Sequence, residues 1–410
     1  MKTVVVIVES DVLNSRIYLG RSGDGMVVNF FFNDGFRVIL VEASSMQRSV
    51  EGVRAFLVKN IRNSVKNVYN LSVFEEYKNV CNGSVPSNGV DIGLFVEFDL
   101  QSCILNDVMD FDVLFSRAMP QSLTKVFLQN FEFLARKARV VPQDMRNICL
   151  YKDKVIPYLL QEDEERIGKM CELYGEDVRK FKDGIDGDFS KIAIETDICD
   201  ITNVENVFDV EKVCVKPFNL FGGIGIGVFE DFANVCEHLK VIEGEFERFG
   251  VKEKRLVLLQ RVVKNPEFGD IRPFFSCGKF IGVFKRFEPV GKIHNTINGA
   301  KILPICDENF VFAKEFQENL KDSFVEVIKM LEVLFGYSKF LRNEVIAGCD
   351  LLLDGDSFKL TEINVACPTG FVFLEATNLF VKYGNWLKIE DLDDYFLKNG
   401  RIIERVLKLF

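Results

Sequence analysis

Positive charge is in short supply: 51 Lys and Arg face 61 Asp and Glu, giving a formal net charge of −10 and a pI near 5.1. That balance argues against a nucleic-acid partner, which needs a basic face. A small anion cleft needs only a few Lys and Arg and stays open. Histidine is nearly absent, with only His238 and His294. Neither stands near a Ser or Cys nucleophile motif, so triad hydrolysis is unsupported. His238, inside the helical stretch CEHLK, reads as structural. The eleven Cys contain no C-x-x-C pair, and the closest two, Cys199 and Cys214, are fifteen apart. A zinc site or a disulfide scaffold is therefore not expected. Nothing approaches the ~18 consecutive apolar residues of a membrane helix. The first apolar run, Val4–Val8 ahead of Glu9, is too short for a signal peptide and reads as a β-strand. These absences describe a cytoplasmic protein with reduced thiols and no membrane partner.

What is present is apolar. The 410 residues are 48% hydrophobic and include 40 Phe, enough for two or three domains around a large core and too much for disorder. The phenylalanines read as core filler. Residues 1–145 alternate strand and helix signals, with strands at Thr3–Val8, Arg37–Glu42, Gly93–Phe98 and Val113–Phe115 and a helix over Leu123–Ala138. That is the pattern of an open α/β layer. Residues 160–190 are charged, a solvated helix and loop inserted in the second domain. From about 210 strands dominate: Lys212–Lys216, Arg255–Gln260, Arg272–Ser276 and Lys279–Arg286, with hairpin turns at Cys277-Gly278 and Asp354-Gly355-Asp356. Asn309–Phe335 has helical periodicity, and Leu387–Phe410 reads as a packed terminal helix.

Three constellations carry chemistry. VCVKPFNLFGGIGIGVF, residues 213–229, sets Lys216 at a strand end before a glycine-rich turn. Gly222, Gly223, Gly225 and Gly227 let backbone N–H groups approach an anion closely. Neither the dinucleotide spacing nor the P-loop spacing is met, since residue 228 is Val and no Lys-Ser or Lys-Thr follows. A flexible hairpin explains such glycines equally well.

LTEINVACPTGF, residues 360–371, poses the sharper question. Glu362 and Asn364 sit two apart in a strand, so both point to one face of a half-buried element. A three-residue loop at Gly355, Asp356 and Ser357 places Asp350 opposite Glu362. Asp350, Glu362 and Asn364 then form an oxygen-only cluster, a donor set suited to Mg²⁺. A two-residue Asp354-Gly355 turn instead sends Asp350 to the other face. The metal reading needs an odd count in the loop. The third constellation is Arg117, Arg272 and Arg286, each in a strand-like context. Singly these are ordinary surface or ion-pair arginines; together they suggest a cleft for an anionic substrate.

The order of these parts resembles the ATP-grasp ligases, and specifically prokaryotic-type glutathione synthetases. The words that carry it are TEINVACPTG, VKPFNLFGG, GDIR, DFDVLFSRAMP and VVPQDMRN, spread with gaps from about Met1 to Thr377. The resemblance implies a mixed α/β ATP-grasp fold. It comprises an N-terminal open α/β substrate domain (1–145), a central lid domain holding the acidic insert (146–240), and a C-terminal catalytic domain with a helical tail (241–410). It implies that Lys216 and the Gly222–Gly227 loop hold the ATP phosphates, with Lys152 or Lys154 also reaching the nucleotide. Gln260, Arg261 and Val263 would form the hinge that meets adenine, and Asp270 would lie toward the ribose. Asp350, Glu362 and Asn364 would ligate Mg²⁺, with Mn²⁺ as a substitute. Asn295 would lie near the acceptor, and Arg117, Arg272 and Arg286 around the substrate and the transferred phosphate, with Pro368, Thr369 and Gly370 lining the substrate side. The implied reaction joins γ-glutamylcysteine to glycine, in a homo-oligomer. Departures fall on the substrate side. Ile293-His294-Asn295 replaces the family's R-G-N, Gly299-Ala300 its Gly-Gly, Cys367 its Ser, and Val372 its Arg. They leave open a sister ligase with another substrate, or a nucleotide-binding protein that no longer ligates.

Overall fold

A computed structural model describes residues 1–8, 17–47, 53–62, 95–105, 110–118, 125–136, 138–141, 154–161, 163–175, 178–179, 181, 187–202, 212–218, 220, 223–248, 255–287, 301–314, 316–338, 341 and 344–365. The architecture is mixed α/β, built on three sheets. The first contains β1 (Thr3–Val8), β2 (Ile17–Arg21), β3 (Arg37–Glu42), β4 (Val53–Arg62), β5 (Phe95–Leu105), β6 (Val113–Ser116) and β7 (Arg139–Val141), with α1 (Ser22–Asn33) and α2 (Lys125–Ala135). Its order is β2-β5-β4-β3-β1-β6-β7. The strands β3, β1, β6 and β7 pair in parallel, whereas β4, β5 and β2 are antiparallel. Val4 to Val8 are fully buried, as a continuous apolar strand covered on both faces must be.

The second part holds α3 (Ile156–Leu159), α4 (Glu164–Tyr174), β8 (Thr196–Asp200), β9 (Val213–Pro217), β10 (Gly227–Phe229), α5 (Phe232–Arg248) and β11 (Leu256–Arg261). Its four strands run in the order β10-β9-β11-β8, all antiparallel. The charged stretch does form a helix, α4, capped by Asp163 accepting from the Glu165 N–H at 2.8 Å. It is anchored as well as solvated: Met170 and Cys171 are buried, and Arg166 donates to the Thr196 carbonyl at 2.5 Å. The third part is β12 (Asp270–Ser276), β13 (Lys279–Phe287), β14 (Lys301–Cys306), α6 (Glu318–Tyr337), β15 (Ala347–Asp354) and β16 (Ser357–Asn364), in sheet order β14-β13-β12-β15-β16.

One expectation is corrected at α6. The periodicity starts a helix at Asn309, but α6 begins at Glu318. The Asp307 carboxylate accepts from the N–H groups of Asn309 (2.8 Å) and Val311 (3.0 Å), and Phe310 adopts φ +59°. An Asp that satisfies backbone donors locally competes with helix. From Glu318 onward, Leu320, Phe324, Ile328, Leu331 and Phe335 form the buried face. They meet Phe275, Phe280, Leu351, Phe358 and Ile363 in the main core. Phe275 stacks on Phe335 at 4.8 Å and Phe280 on Phe310 at 5.0 Å between ring centroids. The terminal stretch 387–410 lies outside the described residues.

Lys285 of β13 is a charged residue within this apolar surrounding. Its Nζ lies 3.5 Å from the Phe268 ring centroid, and burial pushes its ammonium from 10.5 down to about 8. Between those two values the unfolded chain binds one more proton than the folded chain, so stability rises with pH across that window. Below pH 8 the full penalty, about 3 kcal/mol, is in force. Lys285→Met removes it. The variant's gain in melting temperature over the parent should be largest at pH 7 and shrink toward pH 10; an unchanged gap would contradict the burial account.

Candidate active site

The turn joining β15 to β16 decides where the carboxylates point. The three-residue loop expected above is corrected: Asp354 pairs with Ser357, leaving a two-residue turn of Gly355 and Asp356. That register alone would send Glu362 to the far face. A β-bulge between Asp350 and Leu351 then inserts Thr361 and restores the pairing of Asp350 with Glu362. The odd count required by the metal reading comes from the bulge. The Thr361 hydroxyl, donating to the Asp350 carbonyl at 3.0 Å, fastens the bulge. Phe358, Leu360 and Ile363 face the core, while Glu362 and Asn364 stand half-buried on the opposite face. The Asn364 amide donates to Glu362 at 3.0 Å.

That face carries a buried ion network. Arg272 holds Asp350 with both ends of its fork, Nε at 2.5 Å and Nη2 at 2.6 Å. Arg286 holds Asp270, its cross-strand partner, at 2.7 and 2.6 Å, and its Nη2 lies 3.1 Å from Asp350. The four side chains are 10% exposed or less. Burial pushes the Asp350 carboxyl up, but Arg272 and Arg286 outweigh it and hold it well below the usual carboxylate range. The carboxylate of Asp270, expected toward a ribose, is engaged by Arg286.

The four-stranded sheet contributes cations to the same place. On β9, Lys216 and Cys214 share one face, and Val215 turns to the other, against α5. Lys154 sits at φ +60°, just before α3, and its side chain is buried. Burial pushes its ammonium below the ordinary range; Lys216 adds to the effect, while Glu362 and Asp350 oppose it. Those interactions put Lys154, Lys216, Cys214, Glu362 and Asp350 within one electrostatic neighbourhood. Lys152 lies outside the described residues.

The connection from β11 to β12 is clamped to the β15–β16 turn. Arg261 reaches Asp354 at 2.6 Å, the Lys264 N–H donates to Asp354 at 3.0 Å, and the Gly355 N–H donates to Asn265 at 2.8 Å. The Arg261 side chain thus holds this hinge, whose backbone is the part expected at adenine. Val263 is buried beside it. The Gln260 amide donates to Thr196 at 3.0 Å, and its Oε1 is buried with no partner among the described residues. In the glycine-rich turn, Gly223 and Gly225 take φ +81° and +70°, backbone that glycine alone adopts freely. A Cβ on Gly225 would stand 2.7 Å from Pro217 Cγ.

Arg117 is buried at the C-terminal end of β6, in the seven-stranded sheet. Gly222, Asn295, Pro368, Thr369 and Gly370 lie outside the described residues. Sequence reasoning missed Cys214, although its spacing of two from Lys216 already puts both on one strand face. It also missed Asp354 as the partner of the hinge; no sequence signal joins those two segments. Among the described residues no three His, Cys, Asp or Glu side chains gather as a metal site. The candidate ligand set includes the Asn364 amide oxygen, and Asp350, Glu362 and Asn364 supply hard oxygen donors that fit a divalent cation. No helix of the described residues is long and apolar enough to cross a membrane.

No protein-family model matches the sequence, and no curated protein matches it. Solved structures do resemble the fold. A D-alanine–D-alanine ligase from Coxiella burnetii is 11% identical, covering 100% of this chain and 96% of its own, at TM-score 0.46. The VanG D-Ala:D-Ser ligase from Enterococcus faecalis is 11% identical over 89% of this chain and 90% of its own, at 0.45. The ATP-grasp ligase PsnB, complexed with a minimal precursor, is 12% identical over 100% and 99%, at 0.44. These are likenesses of arrangement, at identities too low to carry an activity or a substrate across.

Proposed function

We propose that the chain is an ATP- and Mg²⁺-dependent carboxylate–amine ligase of the ATP-grasp kind, joining γ-glutamylcysteine to glycine. One observation carries this reading. Lys154, Lys216, Arg272, Arg286, Asp350 and Glu362 come from distant parts of the chain and meet in one neighbourhood. Four cations there face three carboxylates, Asp270, Asp350 and Glu362, a small excess of positive charge. In it Lys154 and Lys216 are not engaged by the arginine–aspartate pairs and suit an anion. The domain roles follow: residues 1–145 bind substrate, 146–240 form the lid, and 241–410 complete the site, with the phosphate-holding sheet running on to Arg261.

Carboxylate is a poor electrophile, and phosphorylation by the ATP γ-phosphoryl group converts it to an acyl phosphate. The amine of glycine then attacks the acyl carbon, loses a proton, and expels phosphate. The protein's part is positioning and charge stabilisation. Lys216 and the glycine-rich turn hold the phosphates, and Lys154, within electrostatic reach of Lys216, adds a second ammonium. Arg272 and Arg286 meet charge that develops on the transferred group. Asp350, Glu362 and Asn364 would hold Mg²⁺, which supplies neutralisation of the phosphate oxygens. For Asp350 this means giving up part of its hold on Arg272, which the arriving anion can take over.

The test is ADP release by the purified chain with Mg-ATP and γ-glutamylcysteine, with and without glycine. Glycine-dependent turnover that yields glutathione establishes the reading. Turnover with another acid or amine moves the protein to a sister ligase, and nucleotide binding without any turnover defeats the catalytic reading.

A further inference from the structure

His238 contacts the glycine-rich turn and the strand that follows it. Its Nε2 lies 2.8 Å from the Gly225 carbonyl oxygen. A carbonyl only accepts, so Nε2 carries the hydrogen. The imidazole also packs against Phe229, ring centroids 4.8 Å apart at 45°. Between them sits Gly227, where a Cβ would stand 2.5 Å from the Phe229 ring and 3.0 Å from His238 Nε2. Gly227 is therefore bare so that this ring pair can close over it.

The contact has a direction. α5, which bears His238, packs through Val235, Leu239 and Ile242 on the face of the four-stranded sheet that Val215 lines. Lys216, the next residue on β9, points to the other face. Bonding to His238 turns the Gly225 carbonyl toward α5 and away from Lys216. A carbonyl oxygen on the Lys216 side would repel an anion; its removal leaves that side to backbone N–H groups and the ammonium. The turn is further held by the Ile226 N–H donating to the Gly223 carbonyl at 3.3 Å and by the near-contact of Gly225 with Pro217, which adjoins Lys216.

We infer that His238 is a positioning residue: its Nε2–H···O=C bond to Gly225 fixes the glycine-rich turn in the form that receives the nucleotide phosphates. This rests on the ligase reading above only for the identity of the anion. The test separates donor from ring in the full-length chain. His238→Phe keeps the ring against Phe229 and deletes the donor; His238→Gln keeps a donor near the same place and deletes the ring. Loss of one such bond corresponds to roughly 2- to 13-fold. Backbone amide exchange over 223–229 should quicken by about that factor in His238→Phe and much less in His238→Gln. The Kd for Mg-AMP-PNP should rise by a similar factor in His238→Phe, with the Kd for adenosine unchanged. Equal exchange in His238→Phe and the parent overturns the inference. If the parent binds no AMP-PNP yet exchange still separates the two variants, the ligase reading fails and the positioning of the turn stands.

Discussion

Lys216→Ala and Glu362→Ala are each expected to lower turnover by ~10²–10³ or more, the usual cost of losing a charge aimed at a reacting phosphoryl group. The melting temperature of Lys216→Ala should hardly move. Lys216 is half-buried and forms no ion pair with a described residue, and its charge repels that of the buried Lys154. Removing it relieves that repulsion, so the folded state loses little and stands to gain. Glu362 is half-buried too; its Asn364 hydrogen bond is formed between neighbours on one strand, and Asp350 keeps both arginines without it. The buried Lys154 ammonium, however, loses its main opposing charge, so Glu362→Ala should also lower the melting temperature modestly. Steady-state ADP release and thermal unfolding, measured on the same preparations, check both halves. Parent-like kinetics in either variant would remove these residues from the chemistry. Inactivity with a collapsed melting temperature would instead mark a structural role.

How far the sequence reached can be read from particular residues. Thr3–Val8 and Arg37–Glu42 were legible to the residue because buried parallel strands are written as unbroken apolar runs. The strand β4 was not, since VRAFLVKNIR alternates only loosely and pairs antiparallel at its own irregularity, between Val58 and Asn60. The facing of Asp350 and Glu362 was found by a count that assumed a three-residue loop, whereas the chain uses two residues and a bulge. Periodicity fixes parity but cannot say where the odd residue sits. The arginines were visible as residues out of place in strands; their partners were not. That Arg272 grips Asp350 follows from the pairing of β12 with β15, 78 residues apart, which no local pattern encodes. His238 was set aside because a lone histidine on a helix is usually structural, and only the turn packed over it gives it a task.

The ion network yields the second large effect. Asp350→Leu is expected to destabilise the protein by about 3–5 kcal/mol, the cost of stripping the partner from a buried charge. Arg286 retains Asp270 in that variant, but the Arg272 guanidinium, 10% exposed, loses the carboxylate that met both ends of its fork. Arg272→Met should cost less, because Asp350 keeps the Arg286 contact at 3.1 Å. The double variant Arg272→Met/Asp350→Leu removes both charges and replaces them with apolar bulk, which often restores much of the loss. Its destabilisation should fall below that of Asp350→Leu alone, the non-additivity of neighbours in one network. Urea unfolding of the four proteins closes the cycle, and additive losses would show that the pair is not coupled. The double variant also divides stability from catalysis. It should fold yet stay inactive, because the residues that neutralise each other in this network are the ones the ligase reading assigns to metal and phosphate. Recovery of turnover along with the fold would leave the network purely structural.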